Sequence, residues 1–324
     1  MGAEAQLSTF HDRSKNAAGA IGKGPQSPGA AVPGALPHAA NPQQLQSWLR
    51  NIFESPKYQP PVLPRVAMQL TSLSRQQSVS FDEMVRVLEK DPLLTANILK
   101  VARSPLYGRR PPQSIKEALQ RLGVARLRDV VWQVVTGVRM FRAGGITNFM
   151  ERLQAHNIFV AHASRAIAAR AGVVSEEAFV CGLLHDVGIG ATVGALADTG
   201  APMPPLTTLL DAMDGMHEDV GGLIATLWQL SPDITLVIKE HHRYDPHTRP
   251  SSAMMAVVCI ADRLATEVGR GIVDSAGISH AERLFDQQTN AQYEQAMRHL
   301  NLSNKAAELT RELKELADKL SSGG

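Results

Sequence analysis

The chain has 324 residues, of which 44% are hydrophobic, 20% charged and 5% aromatic, and a formal net charge of +2. This is an ordinary soluble globular composition, enough for one large domain or two smaller ones. Two cysteines, few aromatics, no uninterrupted apolar run of about 18 residues and no basic-then-apolar leader argue against a disulfide framework, a base-stacking surface, a membrane helix and a secretory signal. We expect a cytoplasmic protein without membrane contact.

Residues 1–42 are Ala, Gly, Pro, Ser and Gln with almost no apolar periodicity, and they read as a disordered tail or linker. From 43 to 145 the pattern is helical. Ser80 with Glu83, and Ser114 with Glu117, have the spacing of capping boxes; Asp91-Pro92 opens another helix, and Gly123 is placed to end one. Residues 146–285 continue with longer, more apolar helices, in which Cys181 and Cys259 read as small buried hydrophobes. Residues 286–324 finish with Leu309, Leu313, Leu316 and Leu320 in one narrow stripe. Two heptads favour a terminal helix packed on its own domain over a dimerisation helix, although a homodimer is an alternative. No segment alternates as a strand does, so the class is all-α.

Charge divides along the chain. Between Lys100 and Arg142 ten Lys and Arg face only Glu117 and Asp129, a balance of +8. Residues 171–220 contain eight Asp and Glu and neither Lys nor Arg, a balance of −8.

The informative residues are polar ones on apolar helix faces. His156 precedes Val160, Ala163 and Ile167 at helical spacing; His185 and Asp186 end an apolar helix. His217 aligns with Val220 and Ile224, Ile234 and Ile238 lead onto His241 and His242, and Val258 stands one turn before Asp262. A lone buried histidine is usually a hydrogen-bonded core residue, and an Asp at a helix end is usually a cap. Five His and two Asp directed at one interior point instead to a shared divalent cation. Imidazole with carboxylate suits iron, manganese or zinc better than calcium or magnesium; a metal-free polar core is the alternative. His11, His38, His162, His247, His280 and His299 read as surface or local contacts.

"GLLHDVG" preceded by His156 and followed by His217, then His241-His242, then Asp262, resembles the HD superfamily of metal-dependent phosphohydrolases. Upstream, "PVLPRVAMQLTSLS", "EKDPLLTANILKVARSPLYG" and "IKEALQRLGVARLRDVV" resemble the N-terminal part of the HDOD domain, the HD-related output domain of bacterial signalling proteins. The resemblance spans about residues 50 to 270. It implies a multi-helix HD-like bundle with an N-terminal helical subdomain, bacterial cytoplasmic signalling, and generally no demonstrated catalysis.

The chain departs from its catalytic relatives. Ile189 stands where their HDxGK pattern has Lys, their Gly-Tyr-Pro signature is absent after the paired histidines, and Arg103 stands where the family commonly has Asn. Phosphate chemistry needs cationic clamps besides a metal; residues 171–220 supply none, while Lys239, Arg243 and Arg263 are placed to reach in. The leading expectation is therefore a non-catalytic signalling module that acts through protein partners and retains one or two metals, or none. The alternatives are a metal-dependent phosphohydrolase of nucleotides or cyclic dinucleotides, with Asp186 central to catalysis, and a nucleic-acid-binding regulator using the basic segment 100–142.

Overall fold

In a computed structural model, the described residues (41–61, 69, 80–88, 92–108, 110, 112, 114–139, 146–173, 177–246, 252–272 and 280–321) form thirteen α-helices and two short 3-10 turns, with no strand among them. The expected tail through residue 40, the Asp91 cap and most of "PVLPRVAMQLTSLS" lie outside the described residues.

Helix α1 (Pro42–Glu54) begins at Asn41, whose side chain accepts from the Gln44 N–H at 2.9 Å while the Gln44 side chain accepts from the Asn41 N–H at 3.1 Å. Two reciprocal bonds fix its start. Helix α2 (Phe81–Leu88) is capped by Ser80, whose hydroxyl accepts from the Asp82 N–H at 3.2 Å. Helix α3 (Pro92–Ala102) leads into the turn Pro105–Tyr107, and α4 (Ile115–Arg139) is capped by Ser114, which accepts from the Glu117 N–H at 3.1 Å. Gly123 does interrupt α4, at φ +70° and ψ 169°, but the chain re-enters helix at once, so the expected ending is a kink.

Helix α5 (Thr147–Ala171) is the axis of the bundle. Against it pack α6 (Ala178–Leu184), α11 (Ser252–Glu267) and α13 (Ala306–Ser321). Helix α7 (Val187–Asp198) lies against α9 (Met216–Leu227), and α9 against α10 (Pro232–Glu240); α8 (Leu206–Met213) covers α1, and α12 (His280–His299) packs on α11. Because neighbours surround its middle, α5 buries residues 159 to 164 without a break. Large side chains such as Phe159 and Phe179, fully buried here, each stabilise the assembly by about 2 kcal/mol.

The stretch Ala178–Asp198 is long and apolar enough to cross a membrane by length and composition alone. The fold instead breaks it into α6 and α7 at His185-Asp186 and buries it within the bundle. The leucine stripe of α13 likewise faces its own domain: Leu309, Leu313 and Ala317 are buried, and Arg170 of α5 pairs with Glu308 at 2.9 Å and Glu312 at 2.6 Å.

Among the described residues, the basic segment is not one continuous face. Arg128 is buried beside Asp129, which also pairs with Arg165; Arg121 pairs with Glu117 at 2.9 Å and Lys116 with Asp82 at 2.8 Å. Lys100, Arg103, Arg110 and Arg126 are exposed.

Candidate metal centre

Six helices or their junctions deliver the seven predicted side chains to one interior. His156 comes from the middle of α5, and His185-Asp186 form the sharp junction between α6 and α7. His217 lies in the first turn of α9, His241-His242 come directly after the last turn of α10, and Asp262 sits on α11. His156, His185, Asp186, His217 and His241 are all buried.

The histidines are oriented by backbone. The Nδ1 of His156 lies 2.8 Å from the Arg270 carbonyl, that of His185 2.8 Å from Gly182, that of His217 3.2 Å from Met213, and that of His241 2.8 Å from Ile238. A carbonyl oxygen only accepts, so each of these nitrogens carries the N–H. All four Nε2 atoms are then turned toward Asp186. Oδ2 of Asp186 lies 3.2 Å from His185 Nε2 and 3.8 Å from His156 Nε2, while Oδ1 lies 3.4 Å from His241 Nε2 and 3.7 Å from His217 Nε2. Asp262 Oδ1 closes the first group, 3.3 Å from His156 Nε2 and 3.8 Å from His185 Nε2. The ring of His242 packs on those of His241 and His217, with centroids 4.1 and 5.2 Å away.

These atoms divide into two groups that share Asp186: His156, His185 and Asp186 on one side, Asp186, His217, His241 and His242 on the other. Two donors that each sit about 2.1 Å from a common ion at roughly 90° to 110° stand about 3.0 to 3.4 Å apart, and the cluster is near that spacing. Nε2 of His156 faces Nε2 of His185 at 3.3 Å, and Nε2 of His217 and of His241 are buried without a hydrogen bond. Leaving such groups unpaired costs about 1–3 kcal/mol each. The donor set therefore fits a cation: the cluster can hold a metal.

Electrostatics agree with a crowded anionic focus. Burial raises and the neighbouring imidazoles lower the carboxyl of Asp186, which ends well below the usual range; burial and the His156 hydrogen bond act in the same opposed way on Asp262, which is also lowered. Burial opposes a charged His185, yet Asp186 and Asp262 raise it to about 9. Burial lowers His217, and burial with the neighbouring imidazoles takes His242 well below its ordinary value.

Other sequence expectations fare differently. His162 is buried, in edge contact with Phe179 at 5.0 Å, and is not the surface or local contact its spacing suggests. The reason is that neighbouring helices enclose α5 on every side between residues 159 and 164. His299 does make a local contact, 2.5 Å from the Tyr244 hydroxyl; His11, His38 and His247 and the His280 side chain lie outside the described residues. Cys181 and Cys259 are free and buried, as small apolar side chains would be, and burial raises both thiols, that of Cys259 to about 12. Sequence reasoning missed the four orienting carbonyls and Glu218, which is buried and accepts from the His242 N–H at 3.3 Å. Backbone groups leave no trace in residue type. Glu218, directly after His217, was legible only as one acid among several.

The HDOD domain family model matches residues 61–244. A ribonuclease Y of Campylobacter curvus (strain 525.92) is 28% identical over 157 residues, 47% of this chain and 25% of that protein. The chain spans well under half the length of the curated relatives it matches. Among solved structures, an HDOD domain protein of unknown function from Geobacter sulfurreducens superposes with a TM-score of 0.59 at 23% identity, covering 81% of this chain and 93% of that one. A protein of Marinobacter aquaeolei VT8, provisionally named for signal transduction, superposes with a TM-score of 0.52 at 18% identity, over 98% of this chain and 66% of that one. At these identities the structures speak for the fold, and the match over more than half of the chain speaks for the family: this chain belongs to the HDOD domain family.

Proposed function

We propose that the chain is a non-catalytic signalling module whose HD-type core holds one or two divalent transition metals, and that its helical surface transmits a signal to protein partners. The observation that carries the metal half is the set of four histidines pinned through Nδ1, each presenting Nε2 to the shared Asp186. Hydrogen-bonding the far ring nitrogen fixes tautomer and direction before any ion arrives. His156, His185, Asp186 and Asp262 would hold one ion, and Asp186, His217, His241 and His242 a second. Iron, manganese and zinc suit these ligands.

Two of the cations near this core, Arg243 and Arg263, are engaged in other contacts, which supports the non-catalytic half. Arg243 lies 3.4 Å from Glu218, Arg263 donates to Asn290 at 2.7 Å, and the stem of Lys239 lies over Gly222. Ile189 in place of the relatives' lysine points the same way, because it removes one cation that could clamp a phosphate.

A second reading, metal-dependent phosphohydrolase, is favoured by one observation: Asp262 keeps 20% of its side chain exposed, so the first group opens to solvent. A bound ion would supply a water acidified enough to attack phosphorus; the chain's own residues would orient it and hold the acceptor oxygens of Asp186 in place. The name of the ribonuclease Y relative makes RNA a substrate to include alongside nucleotides and cyclic dinucleotides. The test is elemental analysis of the purified protein and of Asp186→Asn, with a hydrolysis panel. Stoichiometric metal lost in the variant, without turnover, is expected. Absence of metal would overturn the metal half, and turnover abolished in the variant would overturn the non-catalytic half.

A further inference from the structure

Arg270 is a junction between the cluster and the C-terminal helix. Its N–H donates to the Ala265 carbonyl at 2.7 Å, locking it to the end of α11, the helix that carries Asp262. Its own carbonyl accepts from His156 Nδ1 at 2.8 Å. Its guanidinium donates to the Ala317 carbonyl at 2.5 Å and to the Ser321 hydroxyl, at the last turn of α13. The Ser321 hydroxyl in turn donates to Ala317 at 2.9 Å. One residue therefore ties together the direction of His156, the helix of Asp262 and the docked end of α13. The other three pinned histidines differ in kind: their carbonyl partners lie within four residues of the ring, on their own helix or directly before it. Only His156 depends on a carbonyl 114 residues away.

We infer that Arg270 is a positioning residue through which docking of α13 sets the metal affinity of the His156 group, and that α13 is a control element of the core. This rests on the proposed metal centre. The C-terminal end of a helix carries partial negative charge and attracts cations, so an arginine at the last turn of α13 is held by ordinary helix electrostatics. What is unusual is that the same residue's backbone orients a buried imidazole. A carbonyl that drifts by a few tenths of an ångström releases the His156 ring, and partners that orient metal-binding histidines are worth about 10- to 100-fold in metal affinity. Coupling is reciprocal, so an ion in the His156 group must strengthen the docking of α13 by the same factor.

The full-length chain and Arg270→Met, which keeps the aliphatic stem and loses the guanidinium, are titrated with manganese and zinc under competition by a chelator. We expect the ion held by His156 and His185 to weaken by about tenfold, the ion held by His217 and His241 to stay within about twofold, and Arg270→Lys to recover part of the loss. Hydrogen exchange supplies a readout independent of affinity: metal should slow exchange of the α13 amides in the parent chain and leave them unchanged in Arg270→Met. Equal affinities in parent and Arg270→Met, or equal weakening of both ions, would overturn the role given to Arg270. A parent chain that binds neither metal would overturn the metal centre itself, a result distinct from both. Ser321→Ala, which leaves the core untouched, should repeat the effect in weaker form, and no change in it or in α13 exchange counts against the coupling.

Discussion

Gly188, two residues after the bridging Asp186, can be turned into a test of how closely α7 and α9 must approach. A Cβ at this position would overlap the His217 carbonyl and come 2.8 Å from the Gly221 nitrogen, where ordinary contact begins at 3.4 Å. Relieving the Gly221 contact alone needs 0.6 Å, the difference of those two distances, and the overlap with the His217 carbonyl demands more; both obstacles are backbone that cannot rotate away. Overpacking a formed core costs about 1–3 kcal/mol, and two rigid obstacles place Gly188→Ala at the upper end. Because the displaced element carries His217, whose Nε2 is 3.7 Å from Asp186, the shift also exceeds the tolerance of roughly 0.2 Å for metal–ligand distances. We therefore expect a loss of about 3 kcal/mol in urea denaturation, together with weaker binding of the ion proposed for the His217 side. Gly194→Ala on the same helix is the control, since a Cβ there meets nothing within 4 Å; relief of helical glycine predicts a gain of up to about 1 kcal/mol. If Gly188→Ala matched the parent in stability and metal content, the close approach of α7 and α9 at the site would be refuted.

Two further perturbations probe other parts of the fold. Leu313→Ala, at the fully buried centre of α13, should cost about 2–5 kcal/mol in denaturation and raise hydrogen exchange in α13; a loss well under about 1 kcal/mol would mean that the helix is not docked on α5. Burial, aided by Arg126, lowers His162 from 6.5 to about 4, so the unfolded chain binds the proton more readily than the folded one. Its contribution to stability is then complete above about pH 6.5 and drains away as pH falls toward about 4, reaching a loss of about 2 kcal/mol at about pH 5. His162→Phe should remove that share of the pH dependence between about pH 7 and about pH 5, and identical pH slopes in parent and variant would contradict the burial of a neutral imidazole.

The fold was legible where local rules govern. Ser80 and Ser114 cap the helices they were read to cap, and the leucine stripe of α13 faces inward as its shortness implied. Gly123 shows the limit: residue type revealed a break in helical geometry, but whether the chain stops or resumes depends on the neighbours it meets in space. His162 failed for a related reason. A helical wheel assigns one buried face, whereas α5 is enclosed by α6, α11 and α13, and tertiary enclosure overrides the pattern.

Why the cluster was readable is a matter of cost. Burying imidazoles and carboxylates without compensation is expensive, so their recurrence on five apolar stripes demanded a common explanation, and the geometry brings all seven side chains to Asp186 or its immediate neighbours. The parts that escaped are those that cost nothing in sequence. The carbonyls of Gly182, Met213, Ile238 and Arg270 would be supplied by any residue. The first three lie within four residues of the histidine they orient, so local chain geometry accounts for them once the helices end where they do. Arg270 is the exception, because its carbonyl reaches His156 only after α11 has packed on α5, and its side chain is held only after α13 has docked. Long-range coupling of this kind is invisible to any local pattern, which is why the link between the C-terminal helix and the site emerges only from the assembled fold.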